Sequence, residues 1–426
     1  MRVKVCYHIH RSYTMEENIM RIIKTVWVWL TVTILTFCLV AGAFAEEEIQ
    51  IPEVSVKKFD IPDNEAMAFL KNLGVGWILG NTFDAYVDGA SWFRGSETDI
   101  ETAWVGVKTS RELIATVHAA GYSTIRIPVS WHEHVDEDFT ISEAWLSRVQ
   151  EVVDYAIDEG MYVILNTHHD VYPQYYYPLN EHYVTSQRYI TRIWSQLSER
   201  FADYDEHLIF ESMNEPRLRE TDVEWTFNAQ DARCVEAADC INRLNQAFVN
   251  TVRSAGELNA TRYLMVPGYA AAPENALNSY FVLPQDTADN RVIVSVHAYT
   301  PYTFALQDGG QTSFAAVASS QTSEIARFMN ALYETYISQG IPVIIGEFGA
   351  RDKGENYQDR VNYAAYYTAF ASARNLPCLW WDNHSFTGSG ENFGLILRDT
   401  CTWRYPKIPE AMMKYAGYDN IPAKAE

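Results

Sequence analysis

Eight short apolar runs recur along this chain, and most of them lead into polar residues. They span residues 74–80, 123–128, 161–167, 207–212, 261–267, 291–297, 341–346 and 377–381. Segments with apolar residues at helical spacing lie between most of the runs, at 110–120, 144–159, 186–201, 242–255, 323–338 and 357–374. Strands that alternate with helices and are apolar on both faces predict a closed parallel barrel rather than a sandwich.

The predicted fold is α/β, a single (β/α)8 TIM barrel over residues 65–420, after an N-terminal extension over residues 46–64. A length of 426 residues suits one such domain. No low-complexity tract or linker follows residue 60, which argues against an appended binding module. The helix after the fifth run is faint, because residues 270–287 are rich in proline and asparagine.

The first 45 residues have the composition of a secretory signal peptide. Several basic residues precede an apolar run over residues 26–45, in which Ala43 and Ala45 supply the small residues of a cleavage site. We therefore predict residues 1–45 to be a signal peptide and the mature protein to be extracellular. An uncleaved membrane anchor is the alternative.

The net charge of the chain excludes some classes of binding partner. Its formal net charge is −22, and the predicted signal peptide carries more basic than acidic residues, so the mature chain is more negative still. Such a charge repels nucleic acid and anionic membranes and favours a neutral partner. We expect a monomer with no nucleic-acid partner and no stable membrane association after cleavage.

Four cysteines lie beyond the predicted signal peptide. Cys234 and Cys240 fall in or next to a polar insertion over residues 227–239, which either shapes the cleft near the fourth strand or is a surface loop without a role. Because export permits oxidation, we predict the bridges Cys234–Cys240 and Cys378–Cys401, with four buried thiols as the alternative. No histidine or cysteine cluster has zinc-ligand spacing, so we expect no metal and no cofactor.

Polar and aromatic residues collect where the predicted strands end. In a parallel barrel these ends meet at one rim, where reacting groups gather. They are Asn81, Arg126, His168, His169, Asn214, Glu215, His297, Tyr299, Glu347, Trp380 and Trp381. The two glutamates fit the pair of carboxyl groups that glycoside hydrolysis requires.

Seven motifs in barrel order resemble glycoside hydrolase family 5, most closely the endoglucanase and xyloglucanase subfamily numbered 4. They are LGN at 79–81, RIPV at 126–129, NTHHD at 166–170, MNEPR at 213–217, VHAYTP at 296–301, IGEFG at 345–349 and WWDN at 380–383. The resemblance covers roughly residues 65–415. It implies a retaining mechanism with Glu215 as acid/base and Glu347 as nucleophile.

The same resemblance implies roles for the other rim residues. Asn214 hydrogen-bonds the sugar 2-hydroxyl, and Trp381, rather than its neighbour Trp380, forms the floor under the reacting sugar. The histidines at 168, 169 and 297 donate to sugar hydroxyls, and Asn81 serves sugars further along the cleft. From the chemistry alone, we expect Arg126 and Tyr299 to hold the nucleophile ionised.

The sequence therefore predicts a secreted retaining endo-β-1,4-glucanase that cuts β-glucan polysaccharide chains internally by double displacement. Within the same family, a xyloglucanase, a mixed-linkage glucanase or a xylanase is the alternative. A barrel that binds carbohydrate without catalysis is a more remote one. An aldolase-like barrel would need a reactive lysine at a strand end, and none is found there.

Overall fold

The computed structural model of the protein describes residues 15, 18–28, 48–388 and 390–421. The chain forms two compact units, residues 1–49 and residues 50–426. In the first unit, residues 18–28 are helical. The predicted signal peptide, including the cleavage residues and most of its apolar run, lies largely outside the described residues. Within the described ranges, no helix combines the length and apolar character needed to cross a bilayer.

A closed barrel of eight parallel strands forms the centre of the larger unit, in sequence order, with the last strand paired to the first. The strands are β1 (Val75–Leu79), β2 (Thr124–Ile127), β3 (Tyr162–Asn166), β4 (Leu208–Glu211), β5 (Leu264–Pro267), β6 (Val292–His297), β7 (Val343–Phe348) and β8 (Cys378–Asp382). Every residue in them is buried. The predicted barrel is confirmed, and each predicted run contains or overlaps one strand.

Helices surround the barrel and contribute its outer layer. They are α1 (Glu65–Leu73), α2 (Arg111–Ala119), α3 (Glu143–Asp158), α4 (Tyr183–Arg200), α5 (Ala232–Ser254), α6 (Pro273–Ala276), α7 (Tyr302–Ala305), α8 (Ser320–Thr335), α9 (Tyr357–Ser372) and α10 (Lys407–Lys414). Short polar side chains cap several of them. Ser110 accepts a hydrogen bond from the amide of Leu113 at the start of α2, which satisfies one of the free amides there.

The region between β4 and β6 differs most from the sequence prediction. The predicted insertion over residues 227–239 is a loop only as far as Asp231, whose side chain caps α5. From Ala232 onward the chain is helical, because the buried face of α5 begins at Cys234 and continues to Val252. The faint helix after β5 is one short turn, α6, with a proline at its start, and the chain then runs without regular structure to β6.

The two predicted disulfide bridges are absent, and all four cysteines are free thiols. Cys234 and Cys240 lie on the same helix, α5, and six residues of helical rise separate their Cα atoms by about 9 Å, too far for a bridge. Cys378 begins β8 in the buried wall, whereas Cys401 is near Arg398 in the turn between two short strands, Ile396–Leu397 and Thr402–Trp403.

The predicted N-terminal extension packs on the barrel over the part that belongs to the larger unit. The amide of Val54 donates to the hydroxyl of Tyr415 at 2.8 Å. The amide of Phe59 donates to the carbonyl of Ala373 at 3.0 Å, and its ring meets Tyr333 edge-on. This segment covers the side of the barrel near α8 and α9 and takes no part in the rim.

Candidate active site

Two glutamates meet at the carboxyl end of the barrel. Glu215 follows β4 by four residues, and Glu347 lies in β7. One carboxylate oxygen of each lies within 4.8 Å of the other, and their side chains are 17% and 7% exposed. The strand pairing shifts register between Val296 and His297, beside Glu347. Such irregularities re-aim side chains at barrel rims, and this one lies in the pairing of β6 with β7, at His297 and Glu347.

Glu347 is held by two donors. Nη1 of Arg126 donates to Oε1 at 2.7 Å, and the hydroxyl of Tyr299 donates to Oε2 at 2.8 Å. Burial and the charge of Glu347 raise the pKa of Tyr299 well above its usual value, so its hydroxyl keeps its proton. Charge-assisted hydrogen bonds of this kind favour the ionised carboxylate.

Arg126 joins three groups of the site at once. Besides Glu347, its Nε donates to Glu211 at 2.7 Å and its Nη2 donates to Oδ1 of Asn214 at 2.8 Å. Burial alone would lower the pKa of this arginine, but the charges of Glu211 and Glu347 outweigh burial and raise it. The guanidinium therefore stays charged and orients Glu347 and Asn214, the residue next to Glu215.

Glu211 is a site residue that the sequence analysis missed. Its carboxylate is fully buried and also accepts from the hydroxyl of Ser295 at 2.7 Å. Its position at the end of β4, on the rim side of an apolar run, was the available signal. The motif at 213–217 points to Asn214 and Glu215 and does not include Glu211. A glutamate as the last residue of an apolar strand is the sequence signal for it.

Glu215 is paired with His297 across the pocket. Oε1 of the glutamate and Nδ1 of the histidine are 2.9 Å apart. Burial would raise the pKa of Glu215, but the hydrogen bond and the charges of His297 and Arg217 lower it below its usual value. Burial would likewise lower the pKa of His297, but the two glutamates raise it above 6.5. Each group therefore favours the charged form of the other, the imidazolium of His297 and the carboxylate of Glu215.

The outer side of Glu215 is lined by a cation and an exposed ring. Arg217 places Nη1 3.9 Å from Oε2 of Glu215, and its Nε donates to Glu224 at 3.1 Å. Its guanidinium lies over the ring of Trp225, 4.0 Å from the centroid, and that ring is 58% exposed. This side of the pocket thus offers a flat apolar surface near Glu215.

The opposite side is built from an imidazole and an indole. The rings of His168 and Trp381 are parallel within 5°, with centroids 5.8 Å apart. A Cβ on Gly80 would come within 2.8 Å of the Trp381 ring, so a glycine is required there. Trp380 points the other way, is fully buried, and donates from Nε1 to the carbonyl of Phe393 at 3.2 Å. Trp381, stacked on His168, is the one of the two that faces the rim.

His169 and Asn81 lie further from the glutamates. Nε2 of His169 is 3.7 Å from Oδ2 of Asp84, a buried carboxylate that accepts from the amides of Asn81 and Thr82. Burial raises the pKa of Asp84 to about 7, against the effect of those amides. The backbone of Asn81 is thereby fixed at the edge of the site, in a left-handed conformation with φ of 59°.

The comparisons with known proteins agree on one family. A family model described as cellulase (glycosyl hydrolase family 5) matches residues 84–387. Endoglucanase B of Ruminococcus albus is 42% identical over 353 residues, which are 82% of this chain and 80% of that protein. The chain belongs to glycosyl hydrolase family 5.

Solved structures of family 5 proteins share this architecture. A lichenase from Caldicellulosiruptor sp. F32 is 52% identical with a TM-score of 0.85, over 86% of this chain and 100% of that one. A broad specificity endoglucanase of subfamily 4 from Ruminococcus champanellensis, with bound cellotriose, is 43% identical with a TM-score of 0.76, over 84% and 100%. This family 5 chain is a glycoside hydrolase of the endoglucanase type, as the motifs predicted.

The pocket also has the donor set of a cation site, formed by Glu215, His297 and Glu347. Both oxygens of Glu347 already accept hydrogen bonds, and Nδ1 of His297 is already paired with Glu215. The hydrogen bonds of the glycosidase arrangement thus engage both oxygens of Glu347 and one nitrogen of His297. The other nitrogen, Nε2 of His297, is buried and has no hydrogen-bond partner in the described part of the protein.

Proposed function

We propose that this protein is a secreted, retaining endo-β-1,4-glucanase that hydrolyses internal β-1,4-glucosidic bonds of cellulose-like glucans by double displacement. The observation that carries the proposal is the approach of Glu215 and Glu347 oxygens to within 4.8 Å. Retaining enzymes hold their carboxyl groups about 5–5.5 Å apart, whereas inverting enzymes leave about 6.5–9.5 Å for a water molecule.

In the first step, an oxygen of Glu347 attacks the anomeric carbon while the glycosidic bond breaks. The leaving oxygen takes a proton from Glu215, and a glycosyl ester forms on Glu347. In the second step, water attacks the same carbon from the leaving-group side and gives its proton to Glu215. The ester bond breaks and Glu347 regains its charge, so the anomeric configuration is retained.

The proton that Glu215 delivers comes from its pair with His297. A bound sugar removes water from the pocket, and a charge-separated pair loses more solvation than a neutral one. The proton therefore crosses the 2.9 Å hydrogen bond from Nδ1 to Oε1 as the substrate binds. When Glu347 becomes an ester its charge disappears, which lowers the pKa of Glu215 and makes it a base for the second step.

The substrate assignment rests on the shape and charge of the rim. Exposed or rim-facing rings at Trp225 and Trp381 flank the glutamates and suit the flat faces of neutral sugars. The related structures contain cellotriose and cellotetraose. Xyloglucan, mixed-linkage glucan and xylan are the alternatives, and the lichenase relatives make mixed-linkage glucan the first to test. Secretion and a monomeric state remain part of this proposal.

The nucleophile is tested by Glu347→Gln, which keeps the size of the side chain and removes its negative charge. We expect turnover of carboxymethylcellulose to be abolished while the circular dichroism spectrum is unchanged. Near-normal activity would reject Glu347 as nucleophile and would favour a barrel that does not use this pair.

Stereochemistry and substrate are tested on the unmodified enzyme. Proton NMR of the first product formed from a soluble glucan should show the β-anomer before mutarotation. An initial α-anomer would overturn double displacement. The sizes of the products are then measured for carboxymethylcellulose, xyloglucan, mixed-linkage glucan and xylan. We expect long fragments to appear early in the reaction on carboxymethylcellulose. Faster cleavage of one of the others would reassign the substrate without touching the mechanism.

A further inference from the structure

A second cluster of acidic and histidine side chains lies outside the catalytic pocket. One carboxylate oxygen each of Asp88 and Glu133 and one imidazole nitrogen of His132 lie within 4.8 Å of one another. Asp88 follows β1, and His132 and Glu133 follow β2. The fold thus brings together donors that are 44 residues apart in the chain, which is why ligand spacing in the sequence gave no sign of them.

His132 points to a ligand by its hydrogen bonding. It is 5% exposed, and its Nδ1 lies 2.8 Å from Oδ1 of Asp170. A carboxylate at that distance fixes the proton on Nδ1 and leaves the Nε2 lone pair free. Nε2 is buried and has no hydrogen-bond partner in the described part of the protein. An unpaired buried acceptor is costly, and the arrangement of carboxylate, imidazole and open nitrogen is the one that metal sites use.

The charge of the cluster agrees with a cation. Asp88, Glu133 and Asp170 bring three carboxylates around one imidazole. Among the described residues, no lysine or arginine forms an ion pair with any of them. Oε2 of Glu133 accepts from the amide of Val87 at 2.7 Å, which leaves its other oxygen available. Asp88 is exposed, so water molecules can complete a coordination shell on that side.

We propose that Asp88, His132 and Glu133 bind a divalent transition-metal ion of the Zn²⁺ or Mn²⁺ kind. One imidazole nitrogen with two carboxylate oxygens suits these ions, whereas Ca²⁺ and Mg²⁺ prefer oxygen ligands throughout. The ion would tie the loop after β1 to the loop after β2. Tyr86 lies in the first of these loops, and its ring centroid is 5.3 Å from His132 and 5.8 Å from His169 at the rim.

The test measures metal binding rather than activity. Metal-stripped enzyme is titrated with Zn²⁺, Mn²⁺ and Ca²⁺ by calorimetry, and thermal melts are recorded with and without each ion. We expect one Zn²⁺ or Mn²⁺ per chain and a higher Tm with the ion bound. Absence of binding, or tighter binding of Ca²⁺ than of either transition metal, would overturn the proposal.

Variants locate the ion. Asp88→Asn and Glu133→Gln each remove a charge but keep an oxygen that accepts hydrogen bonds, so the loops remain folded. Loss of an outer partner of a metal ligand costs about 10–100-fold in affinity, and loss of a ligand should cost at least tenfold. The exposed Glu137→Gln, in the same loop as Glu133, is the matched control and should bind as the parent does. Unchanged affinity in Asp88→Asn and Glu133→Gln, or an anomalous scattering peak at Glu347 instead, would refute the site.

Discussion

The guanidinium of Arg126 donates from Nε to Oε2 of Glu211 at 2.7 Å, and both side chains are fully buried. A buried pair of this kind adds little stability by itself, but removal of one partner leaves an unpaired charge out of water. Since the same guanidinium also donates to Glu347, the pair with Glu211 helps to orient the proposed nucleophile.

Arg126→Met is expected to harm both folding and turnover. Two buried carboxylates then lose their cation, which should cost about 3–5 kcal/mol of unfolding free energy in a denaturant titration. Turnover should fall as well, because Glu347 loses one of its two donors. Arg253→Met is the control, since it breaks a buried pair with Asp286 away from the site. It should lower stability and leave kcat unchanged; equal losses of kcat in both variants would contradict the role of Arg126.

Removal of the acid should give a pattern that depends on the leaving group. Glu215→Ala is expected to slow polysaccharide cleavage by about 10²–10⁴-fold, the usual contribution of a general acid. Aryl glycosides with good leaving groups need less protonation and should be spared more. Azide should restore part of the rate by attacking the glycosyl ester, and the product should be the β-glycosyl azide.

The control for that experiment is Glu224→Gln. Glu224 bonds to the same Arg217 that lies near Glu215, so the local charge changes by the same amount. The rate of the Glu224→Gln variant should depend neither on azide nor on the leaving group of the substrate. An equal loss on both substrates in Glu215→Ala, without azide rescue, would show that this residue is not the acid.

Much of this arrangement could be predicted from sequence because it depends on local patterns. Strand runs and helical spacing located all eight strands, and residues such as Glu347 and Trp381 were found from their place at strand ends. The sequence does not show which side chains that are far apart along the chain come into contact in the fold. Glu211 and Ser295, or Asp88 and His132, come together only because the barrel brings together strands that are far apart in the sequence.

The cysteine prediction was wrong for a related reason. Cys234 and Cys240 stood in a polar stretch that had no clear helical pattern of its own. Tertiary packing of α5 against the barrel decided the local structure, and its helical rise separates the two thiols. Local composition indicated a loop, whereas burial of one face of the segment made it helical.

The shared proton of His297 and Glu215 predicts a pH profile. Because the pKa of His297 is raised above 6.5, the pair keeps its proton below that value and loses it as pH rises through the raised pKa. The interaction of protonated His297 with Glu215 stabilises the fold below pH 6.5. This stabilisation is lost as pH rises through the raised pKa of His297. Glu215 has a lowered pKa, so its part of the stabilisation is present above 4.5 and is lost as pH falls through the lowered value.

We therefore expect the alkaline limb of kcat/KM to lie above pH 6.5 and to move to lower pH in His297→Gln. In that variant the proton must stay on Glu215 alone, and a carboxyl group releases it more readily than a raised imidazole. His168→Gln is the control: burial, with His169 and Arg126 nearby, lowers the pKa of His168 well below 6.5, so it is neutral throughout the assay. A limb that shifts equally in both variants would disprove the shared proton.

The adjacent tryptophans should differ in their contribution to substrate binding. Trp381 is parallel to His168 at the rim, so Trp381→Ala is expected to lower kcat/KM on glucan by about tenfold, the effect of roughly 1.4 kcal/mol of lost ring contact. Because this ring is only 7% exposed, its removal should lower Tm as well. Trp380 is buried against Phe348, and Trp380→Ala should cost about 3–5 kcal/mol of unfolding free energy. Its remaining folded enzyme should keep the KM of the parent. Since neighbouring residues on a strand face opposite ways, a reversed result would mean that Trp380 is the ring under the sugar.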